Sequence, residues 1–253
     1  MNPSEYRVMF EAEDTHWWYV GLHELVLAHV TREAERLGRP LRILDAGCGT
    51  GRLCQLLAPL VHVQGVDASP EAIRYSSRRG VAAQRGDLNA LELEPASYDV
   101  ITCIDVLYHA GVRSDVEVMK AFCAALRPGG MLVLNLVALE WLRSSHDVAV
   151  HTRERYDERT LRTRLAAAGF HVELLTFRVG LLFPLIASYR LLRGRWGRRK
   201  GGESDVALPS PFVNALLVRV MRAENAVLRR VRLPIGSSLF AIARKGEAGQ
   251  EKL

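Results

Sequence analysis

The stretch that most constrains this 253-residue chain is Leu44-Asp45-Ala46-Gly47-Cys48-Gly49-Thr50-Gly51. An apolar run, Leu41 to Ala46, leads into it, and Leu53, Leu56, Leu57 and Leu60 follow at helical spacing. Glycines between a strand and a helix let the backbone take positive φ and come close to a ligand. The helix start adds unpaired N–H groups. Such a loop belongs at the carboxyl edge of a parallel sheet, where open α/β folds bind their ligands.

The remaining sequence continues the alternation. Further strands are expected at His62 to Val66, Val81 to Gln84, Tyr98 to Ile104, Met131 to Val137, Phe170 to Phe177 and Ser238 to Ala243. Between them lie helices with legible ends: Ser69-Pro70 and Gly80, Ser114 and Pro128-Gly129-Gly130, Asp157 and Gly169. A first helix spans residues 20 to 37 and stops at Gly38. Short apolar strands alternating with amphipathic helices predict an α/β fold, a doubly wound, seven-stranded and mostly parallel sheet covered on both faces. Three parts are expected: an N-terminal helical element over 1–38, a sheet domain over 39–178 and 235–246, and a helical insert over 179–234.

The chemistry of the glycine loop is specific. A dinucleotide fingerprint would place a third glycine where Arg52 stands, and a triphosphate loop would follow its glycines with lysine. The spacing here is G-x-G-x-G, preceded by Asp45. An acid at that place repels a pyrophosphate and suits a cationic ligand. Asp67 ends the next strand, where an acid can accept hydrogen bonds from ribose hydroxyls.

Taken in order, LDAGCGTG, Asp67, Gly86-Asp87-Leu88, the run from Tyr98-Asp99-Val100 to Asp105-Val106-Leu107-Tyr108-His109, and Leu126-Arg127-Pro128-Gly129-Gly130 resemble the class I S-adenosylmethionine-dependent methyltransferases. The likeness covers residues 41 to 138 and implies a Rossmann-like methyltransferase fold with S-adenosylmethionine as cofactor. It implies that Asp45 with Gly47, Cys48, Gly49 and Gly51 holds the methionine end of that cofactor. Asp67 and the adjoining Ala68 would serve the ribose, Asp87 and Leu88 the adenine, and Ile104 and Asp105 the sulfonium. Taken singly, Asp67 is equally a helix cap and Asp87 a turn residue. Glu13-Asp14-Thr15-His16-Trp17-Trp18-Tyr19 is similar to the His-Trp-Trp element of a bacterial subgroup acting on small molecules, in which the preceding helix folds over the cofactor as a lid. The alternative is that Trp17 and Trp18 pack that helix on the sheet.

Three histidines are candidates for positioning or deprotonating an acceptor. His109 follows the fourth strand, while His146 and His151 belong to a polar cluster between the fifth strand and the next helix. Loop-stabilising hydrogen bonds are the structural alternative for each. The His/Asp cluster lacks the spacing of a metal site, so no metal is expected.

Charge is unevenly distributed. The net charge of +6 conceals a segment, Arg178 to Leu233, with twelve Lys/Arg against three acids, while the remainder is mildly acidic. That segment opens on Val179-Gly180-Leu181-Leu182-Phe183-Pro184-Leu185-Ile186 and continues with Arg190, Arg193, Arg195, Trp196, Arg198, Arg199 and Lys200. Apolar residues Val213, Leu216, Leu217, Val220 and Val227 then fall on one helical side, with Arg219, Arg222, Arg229 and Arg230 largely elsewhere. This pattern suits a membrane-surface contact or capture of a lipophilic acceptor; a solvated helical cap is the alternative. No Asn/Asp-Pro-Pro-aromatic motif follows the fourth strand and no RNA-binding module is visible, so nucleic acid is set aside as a partner. The four cysteines form no CxxC pair and are expected reduced. No signal-peptide pattern and no apolar run of about 18 residues is present, so a cytoplasmic protein, peripheral at most, is expected. The sequence thus favours O- or C-methylation of a small, lipophilic acceptor. A non-catalytic cofactor-binding or membrane-associated partner protein, or a protein or RNA methyltransferase, are its rivals.

Overall fold

The computed structural model describes residues 2–188 and 209–246. Seven strands form one sheet: β1 (Arg42–Ala46), β2 (His62–Asp67), β3 (Ala83–Arg85), β4 (Tyr98–Ile104), β5 (Leu126–Val137), β6 (Phe170–Arg178) and β7 (Ser238–Lys245). Their order is β3-β2-β1-β4-β5-β7-β6. β7 runs antiparallel to both its neighbours, and every other pairing is parallel. The expected doubly wound fold is therefore present, with β6 ending on the same edge as β1, β2, β4 and β5.

Successive residues of the central strands face opposite layers. Ile43, Val100 and Val133 meet Leu22, Leu25, Val26 and Val30 of one helix, α2 (Trp17–Leu37). Leu44, Ile101, Leu132 and Leu134 meet the other layer, including Met119 and Phe122 of α5 (Asp115–Ala125) and Leu161 and Leu165 of α7 (Glu158–Ala167). The remaining helices are α1 (Pro3–Ala12), α3 (Arg52–Leu57), α4 (Pro70–Arg78), the short α6 (Ser145–Ala149) and α8 (Pro211–Leu228). Their starts form where the sequence marks them. Ser69 accepts from the Glu71 amide, Ser114 from Glu117 and Asp157 from Thr160.

Some boundaries differ. β5 begins at Leu126, five residues early, because Leu126 pairs with Tyr98 and a bulge takes up Arg127-Pro128-Gly129-Gly130, with Gly129 at φ of +72°. β3 is shorter and later than its apolar residues suggest, being an edge strand paired only with β2.

The insert is described in part. Arg190 through Lys200, Trp196 among them, and the polar stretch 203–205 lie outside the described residues. Residues 183–188 are helical. α8 packs against α2, and the face it buries carries Met221, Glu224 and Leu228. Val213, Leu216 and Val227 of the apolar side stay exposed. Polar side chains help to anchor the helix. Glu224 accepts the Val179 and Leu181 amides at 2.6 and 2.9 Å, Asn225 donates to the Gly21 carbonyl at 2.8 Å, and Asn214 accepts from the Trp17 amide at 3.0 Å. Gly21 lets the two helices touch, since a Cβ there would lie 2.7 Å from that of Met221. Among the described residues, no helix is long and apolar enough to cross a membrane.

Candidate functional site

At the carboxyl ends of the central strands lies an elongated cavity of about 1050 Å³. That volume is at the upper end of the ~300–1,000 Å³ usual for ligand pockets. One part is walled by the glycine loop and the ends of β2 and β4. The other is walled by α2 aromatics, Val137, Leu185, Ile186, Pro209 and Leu217.

Every residue predicted to hold the cofactor lines this cavity except Gly51: Asp45, Gly47, Cys48, Gly49, Asp67, Ala68, Asp87, Leu88, Ile104 and Asp105. Gly51 instead caps α3 with φ of +81°. Gly47 shows why the loop is glycine. Its φ is +83°, and a Cβ there would lie 2.2 Å from Val106 Cγ2. Its amide and that of Cys48 both donate to the Val66 carbonyl, tying the loop to β2.

The acids differ in what their oxygens do. Asp45 is buried and turns inward, accepting from Thr102 Oγ1 at 2.7 Å and Cys54 Sγ at 3.3 Å. Burial pushes its pKa up to about 6. Asp67 accepts the Gly49 amide on one oxygen and the Ser69 amide on the other; the cap of α4 is Ser69, so the helix-cap alternative for Asp67 does not hold. Asp87 is exposed and uses Oδ1 for the amide and side chain of Asn89, which hold its carboxyl below the usual range. Asp105 has φ of +58° and accepts from Asn135 Nδ2 on Oδ2, while its buried Oδ1 has no partner.

S-adenosylmethionine fits these residues on two observations. The backbone at Gly47 and Gly49 lies bare where side chains would collide with Val106 and Met9. The buried Asp105 oxygen lacks a cationic partner within a wall that carries six carboxylates, Glu5 and Glu13 included. Among the described lining residues the one arginine, Arg155, is taken by Asp147 (2.9 and 3.0 Å) and the Ala138 carbonyl. A cation is favoured there and a phosphate is not.

The histidines separate. His109 lines the cavity, and its Nδ1 accepts the Gly111 amide at 2.9 Å. In the neutral ring that acceptor fixes the proton on Nε2. Burial lowers its pKa to about 4. His151 stands outside the lining, with its ring centroid 5.6 Å from that of His109 and its Nε2 3.2 Å from Asn2 Oδ1. His146 is on α6, and its side chain lies outside the described structure. The cluster's firm element is Asp147, which pins α6 to Arg155.

Sequence reasoning singled out Glu13 to Tyr19 as a lid element but missed α1. Glu5, Tyr6 and Met9 of α1, and Glu13 just after it, line the cavity beside His16, Trp17, Trp18, Tyr19, Leu22 and His23. The Glu13 carboxylate accepts from Thr50 Oγ1, lies 3.5 Å from Arg79, and is pushed by burial up to about 7. Trp18 and Tyr19 meet edge to face at 5.0 Å. The available signal was the charge and aromatic density of residues 5–23. Arg178, Asn135 and Glu224, which back the cavity, gave no signal beyond a charge at the end of an apolar strand.

A family profile described as a methyltransferase domain matches residues 21–175. Ubiquinone biosynthesis O-methyltransferases are similar. That of Aeromonas salmonicida (strain A449) is 30% identical over 143 residues, which is 51% of this chain and 59% of that protein. That of Cupriavidus pinatubonensis (strain JMP 134 / LMG 1197) is 34% identical over 138 residues, 48% of this chain and 54% of that protein. The chain thus spans between half and three-fifths of the length of these curated relatives. Among solved structures, an S-adenosylmethionine-dependent methyltransferase from Archaeoglobus fulgidus superposes with a TM-score of 0.56 at 18% identity, covering 88% of this chain and 94% of that one. One from Mesorhizobium loti gives 0.52 at 18% identity, over 81% and 91%. At such identities these likenesses show the fold.

Proposed function

The chain belongs to this methyltransferase-domain family, and on that premise we propose that it transfers a methyl group from S-adenosylmethionine to an oxygen of a small, lipophilic acceptor. The observation carrying the proposal is the single cavity with two unlike parts. Carboxylates surround the bare glycine loop at one side, and aromatic and aliphatic side chains form the other. The relatives' names favour oxygen over carbon as acceptor atom.

S-adenosylmethionine, when bound, supplies an electrophilic methyl group on a sulfonium. The chain's own part is to bind, orient and exclude water, and good positioning is worth roughly 7–11 kcal/mol of barrier. We assign Asp87 and Leu88 to the adenine, Asp67 with Ala68 to the ribose, Asp45, Gly47, Cys48 and Gly49 to the methionine end, and Ile104 with Asp105 to the cationic centre. Residues 1–38 serve as the lid, α1 covering the carboxylate side and the α2 aromatics the acceptor side. His109, with its proton on Nε2, and Tyr19 and Tyr108, with their hydroxyls, line the same wall and are assigned to placing the acceptor oxygen. His151, whose ring neighbours that of His109, is a further positioning candidate.

The apolar end supports a lipophilic acceptor reached from a membrane surface. Leu185, Ile186 and Leu217 line the cavity while Leu181, Leu185, Phe212, Val213 and Leu216 lie exposed nearby in the chain, Phe212 at 82%. Arg219, Arg229 and Arg230 flank that stripe on α8. Near an anionic leaflet each basic residue contributes about 1 kcal/mol.

Two measurements test the proposal. Calorimetry with S-adenosylmethionine is expected to show one site, and no binding would overturn the cofactor assignment. Turnover is expected with phenolic or quinol acceptors bearing an apolar chain; binding without turnover on any of them would favour a non-catalytic role.

A further inference from the structure

Behind the cavity wall lies a charge that its surface does not reveal. Arg178, the last residue of β6, is wholly buried, and its Nε and Nη2 have no partner. Its guanidinium lies 5.9 Å from the centre of the Trp18 ring. The nearest acid in α8, Glu224, already accepts the Val179 and Leu181 amides. A guanidinium held this way is costly in a fold. Among the described residues its one hydrogen bond is Nη1 to Asn135 Oδ1, at 3.5 Å.

Asn135 is itself fully buried and hands its other end on: Nδ2 donates to Asp105 Oδ2 at 2.9 Å. The orientation of that amide is determined, because a guanidinium only donates and a carboxylate only accepts. Asp105 sits at the end of β4 in a left-handed conformation that a non-glycine residue adopts under constraint. One of its oxygens is thus fixed from behind, and Oδ1 is left buried without a partner in the cavity wall.

We infer that Arg178 is a positioning residue: through Asn135 it orients the Asp105 carboxylate and favours its negative form, so that the cavity distinguishes the positively charged methyl donor from its uncharged, demethylated product. The inference rests on the cofactor assignment above. Donor and product differ by one methyl group and one charge, and apolar contacts do not register the charge.

The groups that face this chain allow its protonation to be followed. Asp105 meets Arg178 from β6, Asn135 from β5, Tyr19 from α2, and Cys103 and Tyr108 from its own strand and loop. Glu224 of α8 and His23 of α2 face Arg178. Burial raises the tyrosines and Cys103 and lowers His23 to about 3, so none of these changes charge near neutrality, whereas Glu13 and Asp45 of the same cavity, pushed up to about 7 and about 6, do. Burial pushes Asp105 up to about 7, against the opposing pull of Asn135, Arg178 and the Tyr108 hydroxyl. Its carboxylate is therefore ionised above that value and neutral below it.

Titration calorimetry on the full chain, with S-adenosylmethionine and S-adenosylhomocysteine between pH 6 and 8.5, is the test. Donor affinity is expected to fall at least about tenfold from pH 8 to pH 6, tenfold being the share of one proton on Asp105, while product affinity stays level. Asp105→Asn is expected to bind product normally, lose most of the donor preference and lose that tenfold share, keeping only the slope that Glu13 and Asp45 contribute from the same cavity. Arg178→Met is expected to keep product binding and move the midpoint of donor binding from about 7 toward 8, with Arg178→Lys restoring it. Product binding reports folding. If Arg178→Met fails that check, Asn135→Ala, which leaves the arginine in place, is expected to move the midpoint the same way. A donor-to-product ratio indifferent to pH and to Asp105→Asn overturns the inference, as does an unmoved midpoint in whichever of Arg178→Met and Asn135→Ala binds product. If wild type binds neither ligand, the cofactor assignment fails and this inference with it.

Discussion

At the scale of single residues, His109 shows how local geometry limits chemistry. Its Nδ1 is committed to the Gly111 amide, and burial holds the ring neutral down to about pH 4. A ring in this state donates from Nε2 and is a poor proton acceptor. His109→Gln, which keeps a donor, is therefore expected to retain most activity, while His109→Ala loses about tenfold, the worth of one hydrogen bond in a dry site. Neither variant should change the pH–rate profile between 5.5 and 8; an acid limb near 6.5 abolished by His109→Gln would instead identify it as the base. Gly47 gives a second test. Both its φ and its approach to Val106 exclude a side chain, so Gly47→Ala is expected to lower stability by ~1–3 kcal/mol and to abolish cofactor binding, as melting and calorimetry would show. This glycine, Asp67 and Asp87 were legible in the sequence because each serves at a strand end, where spacing fixes place. Arg178 and Asn135 were not, since they lie 43 positions apart in the chain, on β6 and β5, and only the interposed β7 brings those strand ends together.

Among the elements, α1 illustrates attachment by polar side chains. Among the described residues its apolar contacts gather on α4. Tyr6 and Phe10 meet Ala72 and Tyr75 of α4, Phe10 with its ring 4.9 Å from that of Tyr75. Arg79 does most of the fastening: it lies over the Phe10 ring at 4.3 Å, donates to the Phe10 carbonyl, and pairs with Asp14 and Glu13. Periodicity alone did not reveal this helix, because its apolar residues cover a small patch of α4 and Glu5 faces the cavity. The strands, α2 and the capped helices were legible because each buries a full stripe in one of the two large cores. Arg79→Ala is expected to free α1 while the body stays folded, raising amide exchange in residues 3–12 and weakening cofactor binding. The sign of its pH dependence follows from Glu13. Burial holds that carboxyl at about 7 in the folded protein, above its ordinary 4.5, so its contribution to stability is largest at low pH and declines as pH rises toward 7. Removing Arg79 takes away a charge that favours the ionised form, so the loss of protection in α1 should be larger at pH 8 than at pH 6. Equal losses at both would separate Glu13 from the latch.

For the molecule as a whole, the division of charge sets the direction in which each end works. The body outside Arg178 to Leu233 is mildly acidic, and its cavity gathers six carboxylates around the place proposed for a cation. The basic segment departs from β6, whose carboxyl end lies on the cavity edge of the sheet, and returns as α8 along α2. α8 is fixed by the polar Asn214, Arg222, Glu224 and Asn225 and by the buried Met221 and Leu228, so the exposed Val213, Leu216 and Val227 are not used in holding the fold. That combination makes membrane attachment separable from stability. Phe212→Glu and Leu216→Glu, both at exposed positions, are expected to leave the melting temperature within about 1 °C, as surface changes of under ~0.5 kcal/mol do. The same changes should abolish flotation with vesicles of anionic lipid. Wild type should float at low salt and progressively less from 50 to 500 mM, since counter-ions screen basic residues over about 10 Å at 0.1 M. Neutral vesicles should not carry it. Flotation that ignores both salt and the two glutamates would mean that the stripe and its arginines are a solvated cap, and that a lipophilic acceptor reaches the cavity without help from a bilayer.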